Sequence, residues 1–404
     1  MSKTVWSLVA CALWLASCDG SIGREQCIGT ACSKPLGLQP TLLDVTFQKV
    51  SAKDPADLPI KWRIPRASSA ASMPPPPIAL VRAAGDAVWT PPRDAAPQTI
   101  DRVDAAGIVS QMSIPPPLAK SPGAPAAFLS ADLMGRALVH LQWTGPSMEP
   151  VDQLAFVQPG GPIQGVMLSS AAALPAPLAL IAAPAGFLLF QGDERGQVVR
   201  LVDPTGTTSW QQTQFPKFAR YLGTSAVFSG DRFVLSASDG EPKDIHYGVL
   251  SLDAHGAVTK FEINSDSRWT SSLMLQLDER AYAVAAGSDL FTQNFVGDGV
   301  GNLDVVVFGA DGKLTGYRIE RECALNLSVF GFTADAAGNL YVSSVAGTKA
   351  APRGLLCRLS ATVPSGCFQT EPQLLLGQIA ATDAGVIFAA AGDEILRIEL
   401  PPGR

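Results

Sequence analysis

The residue types that most often carry out chemistry are sparse in this chain and lie far apart. Its 404 residues include three histidines, His140, His246 and His255, and none forms an HxH or HExxH pair that could bind a metal ion. The sequence also has neither the GxSxG turn of a serine hydrolase nor a phosphate-binding P-loop. We therefore expect no catalytic residue and no cofactor.

One segment has oxygen ligands of the kind that Ca²⁺ prefers. Asp298, Asn302 and Asp304 follow one another in a glycine-rich stretch, but Val296 stands where a calcium loop has an oxygen ligand. A solvated loop explains the pattern better, and calcium is kept as the alternative.

The seven cysteines indicate an oxidising compartment rather than a metal site. There is no CxxC motif. Cys27 and Cys32 are close enough to form one disulfide, and Cys357 and Cys367 could join the two strands of a hairpin. Cys323 is then left over, so a Cys323–Cys357 pair stays open.

The first 17 residues have the composition of an export signal. Lys3 is followed by the apolar stretch Val5–Ala16, which is too short to span a bilayer but suits a secretory signal. Leu15-Ala16-Ser17-Cys18 resembles the bacterial lipobox, and this resemblance implies cleavage before Cys18 and acylation of its thiol. More than one acyl chain would anchor the protein stably to a membrane. An ordinary signal peptide is the alternative.

The charge pattern argues against nucleic acid as a partner. The formal net charge is −6, and no dense cluster of Lys and Arg is present.

Glycine turns and apolar strands recur with a period of about 50 residues, which is typical of a β-propeller blade. A first series of turns precedes short apolar strands, and a second series, often Asp-x-x-Gly, alternates with it. The first series has seven turns: six contain Gly85, Gly135, Gly186, Gly230, Gly338 and Gly385, and Asp278-Glu279-Arg280 forms the seventh, between Gly230 and Gly338. The second series has six turns, at Gly107, Gly161, Gly206, Gly256, Gly312 and Gly366. Glycine permits the positive φ angles that such turns require.

Counting the turns predicts an all-β, seven-bladed propeller of four-stranded antiparallel blades, with six or eight blades as alternatives. The last blade would lack its outer strand, and an unpaired edge favours aggregation. Residues 41–50 alternate like a strand, so we expect them to pair with Ile395–Leu400 and close the ring. The predicted organisation is a signal peptide at 1–17, a lipidated cysteine and flexible tether at 18–40, and the propeller at 41–404.

Residues 287–312 and 335–342 resemble the SBBP-type propeller repeats of bacteria. The first segment joins a glycine-rich loop, an aliphatic strand and the Asp311-Gly312 turn, and the second, which begins at Asp335 and contains Gly338, is also similar to NHL-type repeats. The resemblance covers about residues 225–345. It implies a propeller fold and carries no catalytic set with it.

Long loops between the second and third strands of the blades are the candidate recognition surface, because polar loops on a rigid scaffold commonly bind partners. Their charged and polar residues are Asp239, Glu241, Asp244, His246, Asp289, Asp298, Lys349 and Arg353. Mere solvation of these loops is the alternative.

The sequence thus predicts a non-catalytic binding or assembly scaffold, held to a membrane through its N-terminal lipid, in the bacterial cell envelope. It would face the periplasm or the outer surface and bind a protein or a glycan. Two alternatives remain: a propeller enzyme that acts on a carbohydrate or lactone through a channel metal, and a passive envelope protein.

Overall fold

The computed structural model describes most of the chain as strands and turns. The described residues are 26–28, 31–33, 36–65, 80–83, 85–90, 99–113, 126–131, 136–144, 150–157, 164–168, 177–183, 186–193, 196–203, 205, 207–216, 221–241, 244–268, 271–287, 300–322, 329–348 and 350–402. Within these ranges no helix is long and apolar enough to cross a membrane.

Six short strands precede the first blade. They are β1 (Gln26–Ile28), β2 (Ala31–Ser33), β3 (Thr41–Leu42), β4 (Phe47–Ser51), β5 (Ala56–Asp57) and β6 (Ile60–Pro65).

The remaining described strands follow along the chain in six groups of four and one group of three. The first group is β7 (Val81–Ala83), β8 (Ala87–Thr90), β9 (Thr99–Asp104) and β10 (Val109–Ser113), and the second is β11 (Ala126–Ala131), β12 (Ala137–Thr144), β13 (Pro150–Val157) and β14 (Gln164–Leu168). The third is β15 (Pro177–Ala183), β16 (Gly186–Asp193), β17 (Gly196–Val202) and β18 (Thr208–Gln212), and the fourth is β19 (Tyr221–Ser229), β20 (Arg232–Glu241), β21 (Asp244–Leu252) and β22 (Val258–Arg268).

The last groups complete the ring. They are β23 (Ser271–Gln276), β24 (Tyr282–Gly287), β25 (Val300–Phe308) and β26 (Leu314–Glu322), then β27 (Gly331–Ala334), β28 (Leu340–Thr348), β29 (Ala351–Leu359) and β30 (Gly366–Gln369), and finally β31 (Ile379–Ala381), β32 (Ile387–Ala391) and β33 (Glu394–Ile398). Each group is an antiparallel meander, and its first strand contacts the first strands of the neighbouring groups. The all-β propeller fold is therefore confirmed.

Two parts of the predicted fold class are wrong. Six blades, rather than the seven predicted, consist of four consecutive strands in the described part of the chain. The remaining sheet is composite, with the order β31-β32-β33-β6, and three of the blades have five strands instead of four.

The predicted closing strand is also wrong. Residues 41–50 do not pair with β33; instead β4 lies parallel to β26, and β6 lies antiparallel to β33. The apolar contacts of the two strands account for the difference. Val50 of β4 is buried in the cluster that joins β24–β26 to β28–β30. Trp62 and Ile64 of β6 instead pack against the cluster that contains Phe388 and Ile395. An alternating pattern predicts that a strand forms, but the partner depends on such distant contacts.

Residues 36–65, which we call the perimeter strap, run along the outer edges of consecutive sheets. Leu36 bridges to Pro216, and then β3, β4 and β5 pair in parallel with β22, β26 and β30 before β6 joins β33. Outer strands expose unpaired backbone groups, and covering them removes an aggregation-prone edge. The sequence predicted a covering strand at the edge of the last blade alone, whereas strands of the strap cover the outer edges of four sheets.

Apolar residues fill the spaces between neighbouring sheets. All five residues of β32 are buried, as are the four residues of β8. One cluster joins β24–β26 to β28–β30 and includes Val50 of the strap. Because both faces of these sheets are covered, their strands read as nearly continuous apolar runs.

The repeated aspartates hold their turns together through local hydrogen bonds. Oδ1 of Asp253 accepts bonds of 2.9 Å from the backbone amides of His255 and Ala257, and Asp104 and Asp335 bond their own turns in the same way. Gly256 has a φ of +81° and Gly312 has a φ of +80°. These turns explain the recurrence of Asp and Gly in the sequence.

Gly256→Ala is expected to destabilise the protein more than Gly312→Ala. Each change places an alanine at positive φ, which costs about 1–2 kcal/mol. At Gly256 the new Cβ would also overlap the ring of Trp210, whereas Gly312 has nothing within 4 Å, so Gly256→Ala loses about 2–4 kcal/mol in all. Urea unfolding of both variants measures the difference. Equal losses would show that the Trp210 contact adds nothing.

Candidate functional site

The predicted recognition residues lie mainly in strands rather than loops. Asp239 and Glu241 belong to β20, and they face His246 and Asp244 of β21 in the strand register. Arg353 lies in β29. Asp289, Asp298 and Lys349 lie outside the described residues.

A cleft of about 460 Å³ lies between the perimeter strap and the β27–β30 blade. We call it the rim cleft, and its lining residues are Ala52, Lys53, Asp54, Pro55, Gly347, Arg353 and Gln369. Arg353 is the one lining residue that was singled out from the sequence. At the cleft it lies beside strap residues that precede it by about 300 positions in the chain. Lys53, Asp54 and Gln369 carry no sequence signal that could have identified them.

The strap side of the cleft is a short turn between β4 and β5. The amide of Ala52 donates to the carbonyl of Glu320 over 3.2 Å, and Ser51 Oγ accepts a 3.2 Å bond from the amide of Lys53. Ala52 is buried while Lys53 and Asp54 are exposed. The turn is therefore held to the blade at its base, and its two charged side chains lie at the cleft.

The blade side of the cleft is the end of the β28–β29 hairpin. Gly347 has a φ of +89°, and a Cβ there would overlap the carbonyl oxygen of Ala351, so only glycine fits. Nη1 of Arg353 donates to the carbonyl of Thr370 over 3.1 Å, and Thr370 Oγ1 accepts a 2.8 Å bond from the amide of Gly354. The first bond holds the guanidinium at Thr370, and the second holds Thr370 to the residue that follows Arg353.

The charged side chains that the structure describes at the cleft form no ion pairs with other described residues, unlike the charged residues nearby. Within the described part of the chain, Lys53, Asp54 and Arg353 take part in no ion pair. By contrast, Lys49 pairs with Glu320 at 2.7 Å in the same strap. The cleft thus offers two cations and one anion to a ligand.

Next to the cleft, Arg63 ties the strap to the loop that follows β30. Its Nη2 lies 2.7 Å from Oε1 of Glu371. This hydrogen bond raises the pKa of Arg63 above its usual value, and the negative charges of Glu371 and Glu394 raise it as well. The pair holds the loop beside the cleft.

Cys357 and Cys367 form a disulfide between β29 and β30, where they are register partners. Cys27 and Cys32 face each other in the β1–β2 hairpin. Cys18 and Cys323 lie outside the described residues.

The calcium alternative involves one described carboxylate. Asp304 is 1% exposed, and both of its oxygens accept 2.7 Å bonds from Arg318. Those oxygens are committed to Arg318, and Asp298 lies outside the described residues. Among the residues that the structure covers, no cluster of three or more His, Cys, Asp or Glu side chains could hold a metal ion.

No family model and no curated protein matches the sequence. Among solved structures, the chain is similar to a virginiamycin B lyase from Staphylococcus aureus, with a TM-score of 0.49, 15% identity and coverage of 84% of this chain and 99% of that one. It is also similar to a streptogramin B lyase, with a TM-score of 0.47, 14% identity and coverage of 84% and 98%. Drosophila Plexin A in complex with Semaphorin 1b matches with a TM-score of 0.45, 9% identity and coverage of 86% and 88%. Propellers that are enzymes and propellers that bind proteins thus both occur among the similar structures, and the propeller assignment here rests on the sheet topology.

Proposed function

We propose that this chain is a lipid-anchored, non-catalytic binding scaffold of the bacterial cell envelope. The observation that carries the proposal is the rim cleft, because unneutralised charged groups on a rigid frame are suited to recognition. The lipobox-like sequence before Cys18 supports export and anchoring.

The position of the strap supports a short distance between membrane and propeller. The chain binds the propeller from Leu36 onward. A fully extended chain from Cys18 to Leu36 would span about 60 Å, and the β1–β2 hairpin shortens that reach. The tether therefore limits how far the start of the strap can lie from the membrane.

Cys18→Ser is expected to abolish membrane attachment. Serine has no thiol to acylate, so the exported protein should move from the detergent phase to the aqueous phase in Triton X-114 partition and lose labelling with a palmitate analogue. Cys27→Ser is the matched control and should remain in the detergent phase. Continued labelling of Cys18→Ser would contradict anchoring at this residue.

Affinity capture from crosslinked envelopes tests the scaffold function. The anchored protein should retain a reproducible partner, and Lys53→Gln/Arg353→Gln should reduce that partner at least about fivefold, since two charge-assisted contacts are removed. Lys49→Gln keeps the strap but changes a lysine outside the cleft, and it should retain the partner. If the double variant and the control recover the same material as the parent, the rim cleft is not the recognition site.

A further inference from the structure

We propose that the rim cleft binds an acidic sugar, with its carboxylate between Lys53 and Arg353. This inference rests on the proposed function and specifies the class of ligand that the cleft takes.

The described side chains of the cleft carry an excess of positive charge. Lys53 and Arg353 supply two cations that no described carboxylate neutralises, whereas Asp54 supplies one anion. Arg353 donates one hydrogen bond to the carbonyl of Thr370, and other N–H groups of its guanidinium can bind a ligand. The excess of positive charge favours a ligand with a carboxylate, which a guanidinium binds with strong hydrogen bonds.

The described lining of the cleft has little apolar surface. Ala52, Pro55 and Gly347 are its apolar residues, and among the residues that the structure describes no aromatic or long aliphatic side chain lines the cleft. Lipids and peptides with large apolar side chains gain most of their affinity from such walls. A ligand that is polar over most of its surface fits this lining better.

Asp54 and Gln369 bring further hydrogen-bonding groups to the cleft. The carboxylate of Asp54 accepts hydrogen bonds, and the amide of Gln369 both donates and accepts them. A sugar hydroxyl can donate to Asp54 and accept from Gln369, so a polyol with one carboxylate uses every polar group of the cleft. The volume of about 460 Å³ lies within the range of small-ligand sites.

Isothermal titration of the purified full chain with three probes tests the proposal. The probes are D-glucuronate, a glucuronate-containing oligosaccharide, and D-glucose as the neutral counterpart. We expect the acidic probes to bind at least tenfold more tightly than glucose and to weaken as salt is raised. Lys53→Gln and Arg353→Gln should each weaken glucuronate binding by about tenfold, because each removes a charge-assisted contact. Lys49→Gln should bind like the parent.

The outcomes separate the ligand class from the scaffold function. Binding of both acidic probes supports a free acidic sugar, and binding of the oligosaccharide alone supports a glycan as the source. If glucose and glucuronate bind equally, if neither acidic probe binds, or if the two cleft variants match Lys49→Gln, the acidic-sugar inference is overturned. Should envelope capture still depend on Lys53 and Arg353 in that case, the cleft remains a recognition site for another ligand class, and only the sugar is refuted.

Discussion

Asp304→Ala is expected to lower the free energy of unfolding by about 3–5 kcal/mol. Asp304 is 1% exposed and forms a two-bond pair with Arg318, in which both N···O distances are 2.7 Å. Arg318 also lies over the ring of Phe47 of the strap, 4.3 Å from its centre. Removing the carboxylate takes both of these bonds from a largely buried guanidinium, and the same pair links β25, β26 and the strap.

Two further variants make this result interpretable. Asp304→Leu/Arg318→Met removes both charges and should recover most of the loss, since a buried ion pair contributes little compared with apolar residues of similar size. Lys49→Ala breaks the exposed Lys49–Glu320 pair and should cost no more than about 1 kcal/mol. Urea unfolding measures all three variants. A loss for Asp304→Ala no larger than that of Lys49→Ala would refute the structural role of the buried pair.

Val50→Asp is expected to detach strand β4 of the strap from β26. We expect the free energy of unfolding to fall by about 3–4 kcal/mol and the protein to begin to aggregate. Val50 is 6% exposed and packs in the cluster that contains Val305 and Ile319. A carboxylate there has no partner in the cluster. Its burial is therefore unfavourable, and release of β4 would uncover the edge of β26, which can then pair with other chains.

Light scattering at rising protein concentration and hydrogen exchange of residues 316–320 test this prediction. Those residues are the register partners of β4, so their amides should lose protection in Val50→Asp. Lys49→Gln is the matched control, because the adjacent residue is exposed and its substitution removes only the exposed ion pair with Glu320. Unchanged protection at 316–320, together with lower stability, would mean that the strap stays bound and does not protect this edge.

The sequence predicted the turns well and the strand partners poorly. Gly85, Gly107, Gly256 and Gly338 lie at turns with positive φ in the structure, as their recurrence indicated. The alternation of residues 41–50 correctly indicated a strand within Phe47–Ser51, but not its pairing with β26. Pairing of two to five residues relies on backbone hydrogen bonds, which leave no pattern in the sequence.

Of the described residues that line the rim cleft, the sequence identified only Arg353. Arg353 was predicted as a charged residue of a long loop between the second and third strands of a blade, and it lies in β29 instead. Lys53 and Asp54 fell in a segment interpreted as part of the propeller, without a role. Nothing local distinguishes them from other surface charges. Their position at the rim cleft depends on how the strap crosses the outer edge of the β27–β30 blade.

The amino-acid order alone was enough to define the repeat and its turns, because a side chain such as Asp253 bonds amides two and four residues away and Gly256 sets its own backbone angle. The tertiary structure decided which edges the N-terminal residues cover and which charges meet. Lys49 reaches Glu320, and Lys53 reaches the cleft beside Arg353, only after the ring of blades has formed. Contacts between residues so far apart in the chain depend on packing and charge matching in three dimensions, and neither is written in a local pattern.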